Sequence, residues 1–284
     1  MKILQSGDGG GVGGAMFLRW ALQMEHAGLW APDALSGTSV LGMLSLMLAA
    51  GKRPSEIDPN FLGYAERIFH DPGEVWKLDP ETPKYNPDGM EDVCDRVFGT
   101  LRMCDLKIPV GVAVSDYQTV RVRLFTRDDN DLVRDVALRT AAAQTFFPFR
   151  ENRWGDGGIV ATNPTPLMLG YLRDEIHWDL SQTRAVSFDT SGGFYADLHV
   201  SARMLEVQMI QPTIKFAMGA SARECARAAA DMLPPGQHMR LEPNLAADYE
   251  MDDVSAIPRL QAAGDLTWAT QGERVRSFLA WSHA

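Results

Sequence analysis

Cysteine is scarce: Cys94, Cys104 and Cys225 are the only three in 284 residues. A sparse, odd-numbered set excludes a disulfide framework and points to a reducing compartment. Long apolar runs are also missing. The stretch Val40–Ala50 falls far short of the ~20 residues that a membrane-spanning helix needs. Lys2 leads almost directly into Gly7-Asp8-Gly9, without the apolar segment of a signal peptide. The expectation is therefore a cytoplasmic protein that meets membranes, if at all, peripherally. Positive charge is in deficit, with 27 Lys+Arg against 37 Asp+Glu and a net charge of −10. That excludes a dedicated nucleic-acid binder, which needs a basic footprint, and makes any contact with an anionic membrane local. The HExxH, CxxC and EF-hand signatures are absent, which agrees with a protein that needs no metal or other cofactor. Internal repeats and low-complexity linkers are absent as well, and residues 1–284 read as one domain.

What is present is ordinary globular composition, 45% hydrophobic and 23% charged. Met1–Gln5 is a short apolar segment that runs into a glycine-rich turn, Gly7–Gly14. Ala15–Ala27 then carries Phe17, Ala21 and Met24 at helical spacing, with Gly28 as a stop. Asp33–Ser36 feeds Gly37-Thr38-Ser39 and an apolar helix that ends at Gly51. The first fifty residues thus predict strand, glycine loop, helix, strand, tight turn, helix: the opening of an α/β fold. Residues 53–105 predict an excursion of short helices and loops, or a lid. Ile108–Val114 and Thr119–Phe125 predict strands joined through Asp116-Tyr117. Helices are expected over Leu132–Ala143, capped by Asp131, over Thr165–Glu175, Ala196–Gln208 and Ser221–Met232, and from Val254 onward. Arg184–Phe188 is expected to be a strand.

Three segments can carry chemistry. The first is Asp8-Gly9-Gly10-Gly11-Val12-Gly13-Gly14, where glycines let the backbone approach a ligand and a helix N-terminus favours negative charge. A phosphate cradle, an oxyanion hole and a plain flexible turn all fit. Gly9-x-Gly11-x-x-Gly14 also satisfies the dinucleotide fingerprint, although Asp33 precedes the second strand rather than ending it. The second is Ser36-Gly37-Thr38-Ser39-Val40-Leu41-Gly42, a serine on a sharp strand-to-helix turn, which suits a nucleophile elbow or a helix N-cap. The third is Trp154-Gly155-Asp156-Gly157-Gly158, a carboxylate on a turn that could equally be structural. Together they supply oxyanion donors, a nucleophile and a base.

Asp8-Gly9-Gly10-Gly11, Gly37-Thr38-Ser39 and Asp156-Gly157-Gly158 resemble the three signature blocks of the patatin-like phospholipases. Gly37–Ser55 resembles that family's elbow helix and its sequel. Leu138–Ala143 with Phe146-Phe147-Pro148 resembles the segment before the second catalytic residue, and Asp252-Asp253 near the last helix also resembles the family. The resemblance implies a three-layer α/β sandwich with a central, mostly parallel sheet and helices on both faces. It implies a lipid acyl hydrolase, acting on phospholipids or lysophospholipids at a transient membrane surface without a metal. Ser39 would be the nucleophile and Asp156 the base. Gly9, Gly10, Gly11 and Val40 would form the oxyanion hole, with Asp8, Gly37, Gly157 and Gly158 shaping the motifs. None of the six histidines lies near these blocks, which suits a dyad. Two positions depart from the family: Gly13 stands where a basic residue is usual, and Leu41 where glycine is. A catalytically weak lipid- or partner-binding relative, or a dinucleotide-binding protein, is the competing reading. Met43, Met47, Phe146, Phe147 and Phe149 could line an acyl channel or simply fill a core. Arg121, Arg123 and Arg127 could meet lipid phosphates or merely face solvent.

Overall fold

The computed structural model describes residues 1–70, 83–190, 206–243, 245 and 249–280. The chain alternates strand and helix from its start: β1 (Lys2–Gly7), α1 (Gly14–His26), β2 (Ala34–Thr38), α2 (Val40–Ala49), α3 (Pro54–Ile68) and α4 (Asp88–Phe98). It continues with β3 (Val110–Asp116), β4 (Arg121–Thr126), α5 (Val133–Thr140), β5 (Trp154–Asp156), α6 (Gly158–Ala161) and α7 (Thr165–Asp174). Last come β6 (Thr183–Phe188), α8 (Glu206–Met232), β7 (His238–Leu241) and α9 (Ile257–Ala280).

One sheet takes the order β4-β3-β2-β1-β6-β7, with β5 paired to β3. β1, β2, β3, β6 and β7 run parallel, whereas β4 and β5 run antiparallel to β3. Parallel neighbours need crossover connections, and helices supply them. Side chains alternate across a strand, so adjacent residues serve opposite layers. Leu4, Ala34 and Ala185 pack with Met168 and Leu172 of α7 and Ala229 of α8. Leu35, Val112 and Val186 turn the other way, toward α1, α2 and Leu260 of α9. The result is a mostly parallel sheet between two helical layers, as the resemblance implied. In α2, every residue from Leu41 to Ala49 is buried, because a helix apolar on all sides finds no wet face.

Several sequence expectations needed adjustment. β1 continues through Ser6 and Gly7, because both are bonded into the sheet by β2 on one side and β6 on the other. The Ser36 hydroxyl meets the Ser6 hydroxyl at 2.7 Å inside the sheet. The β3–β4 turn occupies residues 117–120, later than expected. Asp131 does not cap α5; its carboxylate accepts from Arg139 at 2.6 Å. The 53–105 region holds two regular helices, α3 and α4. The first opens with Pro54 and with Glu56 accepting from the Arg53 N–H at 2.7 Å. Ser221–Met232 is the second half of the longer α8. Residues 196–205 of the expected Ala196–Gln208 helix lie outside the described residues.

Candidate active site

Parallel strands end together, and their carboxyl ends collect the loops that carry chemistry. Here those loops are the glycine loop after β1 and the elbow after β2. β5 joins them because of the way β3 is shared. β4 pairs with β3 along 111–116, so β2 and β5 must use the opposite edge. β2 covers that edge up to the pair Thr38↔Ala113, and β5 takes it over from the very next residue, at Val114↔Asp156. The strand register therefore delivers Asp156 beside Ser39, although 117 positions separate them in the chain.

Ser39 sits at φ 55° and ψ −127°, a left-handed conformation that costs an L-residue about 1–2 kcal/mol and is concentrated at functional turns. Gly37 is obligatory to this turn, since a Cβ there would lie 2.2 Å from the Leu41 carbonyl oxygen. The Ser39 N–H donates to Thr140 Oγ1 at 2.9 Å, and the Thr140 hydroxyl donates in turn to the Ala113 carbonyl at 2.7 Å. Thr140 thus ties the elbow to β3. Ser39 occupies the N-cap position of α2, yet its side chain makes no capping hydrogen bond. Its hydroxyl instead faces the Asp156 carboxylate, whose ionised form it favours.

Asp156 is 4% exposed. Its Oδ1 accepts from the Gly158 N–H at 2.7 Å. Its main-chain oxygen accepts from the Ser115 hydroxyl at 2.8 Å and from Gln144 Nε2 at 3.2 Å. Burial pushes its carboxyl up to about 6, and the Ser39 hydroxyl and the Gly158 N–H only partly oppose that. Gly157 lets this turn lie against β3, as a Cβ would come within 2.6 Å of the Ala113 carbonyl oxygen.

The glycine loop passes directly over the serine, where a Cβ on Gly9 would approach Ser39 Cβ to 3.1 Å. Asp8 beneath it is fully buried, and both of its oxygens accept from Arg240 of β7, at 2.6 and 3.2 Å. The Gly9 N–H donates to the Thr162 carbonyl at 3.2 Å. Among the described residues, the N–H groups of Gly10, Gly11 and Val40 have no acceptor. They stand at the starts of the turn leading into α1 and of α2, where helix ends favour negative charge. An apolar pocket opens at this point. Val40, Met43, Leu44 and Met47 of α2 wall it, opposite Phe61, Ala65 and Ile68 of α3, and Ser39 and Asp156 line it as well. Phe146 and Phe147 belong to this lining, whereas Phe149 does not. No described histidine does either. No three His, Cys, Asp or Glu side chains converge as a metal set among the described residues.

Residues 7–169, more than half of the chain, match the family model described as patatin-like phospholipase. The chain belongs to the patatin-like phospholipase family. It is 34% identical over 145 residues to a cGAMP-activated phospholipase of Pseudomonas aeruginosa, a match covering 46% of this chain and 44% of that protein. It is 30% identical over 159 residues to a protein of the same name from Escherichia coli, covering 50% and 45%. A Caenorhabditis elegans intracellular phospholipase A2 is 23% identical over 94% of this chain but 24% of its own length. The matched parts of the first two relatives amount to less than half of their length. The crystal structure of VipD from Legionella pneumophila superposes with a TM-score of 0.50 at 13% identity, over 96% of this chain and 67% of that one, a likeness of fold.

The two departures from the patatin-like pattern have local causes. Gly13 cannot carry a side chain, because a Cβ would lie 2.1 Å from the Tyr249 hydroxyl and 2.4 Å from the Thr190 carbonyl. Tyr249 donates to that carbonyl and so fills the space. Leu41 is fully buried against Gly7, where a Cβ would be 2.6 Å from its Cδ1, so the glycine in β1 leaves the room that Leu41 fills. The segment after β7 also braces the loop, since the Met251 carbonyl accepts from the Val12 N–H at 2.8 Å. Asp252 accepts from the Tyr85 hydroxyl at 2.6 Å and from Lys84. Of the bracing residues Lys84, Tyr85, Thr190, Tyr249, Met251 and Asp252, the sequence marks only Asp252. Thr140 lies within the segment it singled out, but nothing marked its hydroxyl as the elbow's anchor.

Proposed function

We propose that the protein is a serine acyl hydrolase acting on fatty-acyl esters of phospholipids or lysophospholipids. One observation carries this reading: the Ser39 hydroxyl, unused for capping, faces a buried carboxylate, and both line an apolar pocket. In this mechanism Ser39 Oγ attacks the ester carbonyl while Asp156 takes its proton. The N–H groups of Gly10, Gly11 and Val40 receive the oxyanion, whereas Gly9, its N–H committed to Thr162, shapes the loop. The alcohol leaves with the proton from Asp156. Water, deprotonated by the same carboxylate, then cleaves the acyl–serine ester, releasing the fatty acid and restoring Ser39. A carboxyl near 6 is ionised at neutral pH yet more basic than an ordinary aspartate, which suits a base that works without histidine.

The test is labelling by a fluorophosphonate probe, with the modified peptide identified by mass spectrometry, alongside fatty-acid release from phospholipid and from a short-chain nitrophenyl ester. Labelling confined to Ser39 is expected. Hydrolysis that survives in both Ser39→Ala and Asp156→Ala rejects the mechanism. An intact, unlabelled protein favours the non-catalytic reading. Because two relatives carry the name cGAMP-activated phospholipase, each assay is run with and without a cyclic dinucleotide.

A further inference from the structure

Val120 closes the β3–β4 turn with 88% of its surface exposed and at φ 54°. That conformation belongs to glycine or asparagine at the end of a hairpin loop, and a β-branched side chain there is an outlier. Nothing in the described protein packs on it to offset the cost. Tyr117, at the start of the same turn, is 46% exposed. Its ring meets the 47%-exposed Phe149 at 4.5 Å between centroids. The turn is coupled to the pocket: Gln144 Nε2 donates to the Tyr117 hydroxyl at 2.8 Å and also reaches the Asp156 carbonyl. Tyr117 follows Val114, the register partner of Asp156, by three residues, so it stands about 10 Å beyond that carboxylate along the strand direction.

Charge at the turn has a definite sign. Arg153 occupies the Asp116 carboxylate at 2.6 and 2.9 Å, so Arg121, opposite Asp116 in the register, has no ion-pair partner among the described residues. Arg123 is paired with Asp129 at 2.5 Å. An outward valine, a tyrosine–phenylalanine pair and one uncompensated arginine therefore share the end of the sheet that carries Ser39 and Asp156.

We propose that this tip, Tyr117, Val120 and Phe149 with Arg121 beside them, docks the protein on a phospholipid bilayer containing anionic lipid. Val120 and Phe149 enter the acyl boundary, the tyrosine sits at the headgroup level, and Arg121 meets a lipid phosphate. The choice of a lipid surface over another protein rests on the acyl-hydrolase reading, since docking here brings the sheet end that carries Ser39 and Asp156 to the substrate layer.

The experiment uses vesicles of phosphatidylcholine and phosphatidylglycerol at 3:1 and the Ser39→Ala protein, so that binding is read without turnover. Co-sedimentation is expected, with Val120→Asp lowering the partition about tenfold and Arg121→Gln lowering it several-fold at low salt. Val120→Gly suits the positive φ, so its thermal midpoint should match or exceed the parent's while vesicle binding still falls. On the Ser39 background, Val120→Asp should cut hydrolysis of vesicle lipid about tenfold and leave soluble nitrophenyl ester hydrolysis unchanged. A parent that does not sediment, or a Val120→Asp variant that sediments equally well, overturns the proposal. So does a Val120→Asp variant that alters self-association but not vesicle binding. If ester hydrolysis survives Ser39→Ala, the Ser39 mechanism falls, while the sedimentation result still decides the docking.

Discussion

Asp8 and Asp156 are two buried carboxylates at the same end of one sheet, and they differ in what faces them. Burial pushes each up to about 6. For Asp8 the Arg240 guanidinium pulls the other way, covering both carboxylate oxygens, and Asp189 and Glu242 stand near the same arginine at 3.6 and 3.4 Å. For Asp156 the opposing groups are a serine hydroxyl and one backbone N–H. A carboxylate whose two oxygens are both held by one guanidinium is fixed in place, so Asp8 serves as a clamp between the glycine loop and β7. Asp156 instead faces a hydroxyl in an apolar pocket, where a proton can be passed to it. Burial is common to both sites, and the partner divides them into structure and chemistry.

The largest expected effect breaks the comparison on the chemical side. Ser39→Ala and Asp156→Ala should each lower fatty-acid release by about 10³-fold or more, and the double variant should be scarcely worse, because the two groups act as one unit. Asp8→Asn should instead preserve the identity of the labelled serine while destabilising the fold by about 3–5 kcal/mol, since it strands a buried arginine. Urea unfolding at pH 7.5 measures that loss. Asp8→Leu combined with Arg240→Met should recover much of it. If Asp8→Asn proves neutral, the clamp is not what holds the loop.

How much of this was legible in the chain follows the same division between near and far. The elbow is local: Gly37 and Ser39 sit two residues apart and mark their own turn, and the β–α alternation announced the sheet. Asp156 was visible as an aspartate on a glycine turn, but its three-residue strand was not, because β5 exists only by taking the edge of β3 that β2 vacates. Arg240 lies 232 positions from Asp8, on a strand whose His-Met-Arg-Leu sequence shows little β-branching. No pattern within either segment points to the other. The glycine loop was readable as a row of N–H donors. That Gly9 would spend its own on Thr162 depends on packing across the sheet ends.

Asp156 sharpens the comparison through pH. Its carboxyl is raised above the ordinary value of 3.8, so the folded state gains from the protonated form, and that gain is lost as the pH rises through about 6. At pH 8 the buried charge is therefore a cost. Asp156→Asn should raise stability there by about 1–2 kcal/mol, with the difference vanishing near pH 4, while hydrolysis is abolished. In the parent enzyme, kcat/KM should fall below pH 6 as the base is protonated. An unchanged unfolding midpoint for Asp156→Asn at pH 8 would mean that the carboxylate carries no such burden.

The smallest effect belongs to the clamp's own strand. His238 lies two residues before Arg240, with Nε2 3.0 Å from the Ser187 hydroxyl. Burial, then the charge of Arg240, pushes its imidazole down to about 4. A depressed base gives stability that is present above the unfolded value near 6.5 and is lost as the pH falls toward 4, because the unfolded chain takes up the proton first. The histidine is only partly buried, which limits the contribution to about 1–2 kcal/mol. His238→Gln should thus flatten the decline in unfolding free energy between pH 6.5 and 4, measured by urea titration at half-unit steps, and leave the pH dependence of hydrolysis near 6 unmoved. The two profiles report different ends of the comparison. If the hydrolysis profile shifts with His238→Gln, charge on the β7 side reaches the Asp156 carboxylate and the two sites are not independent.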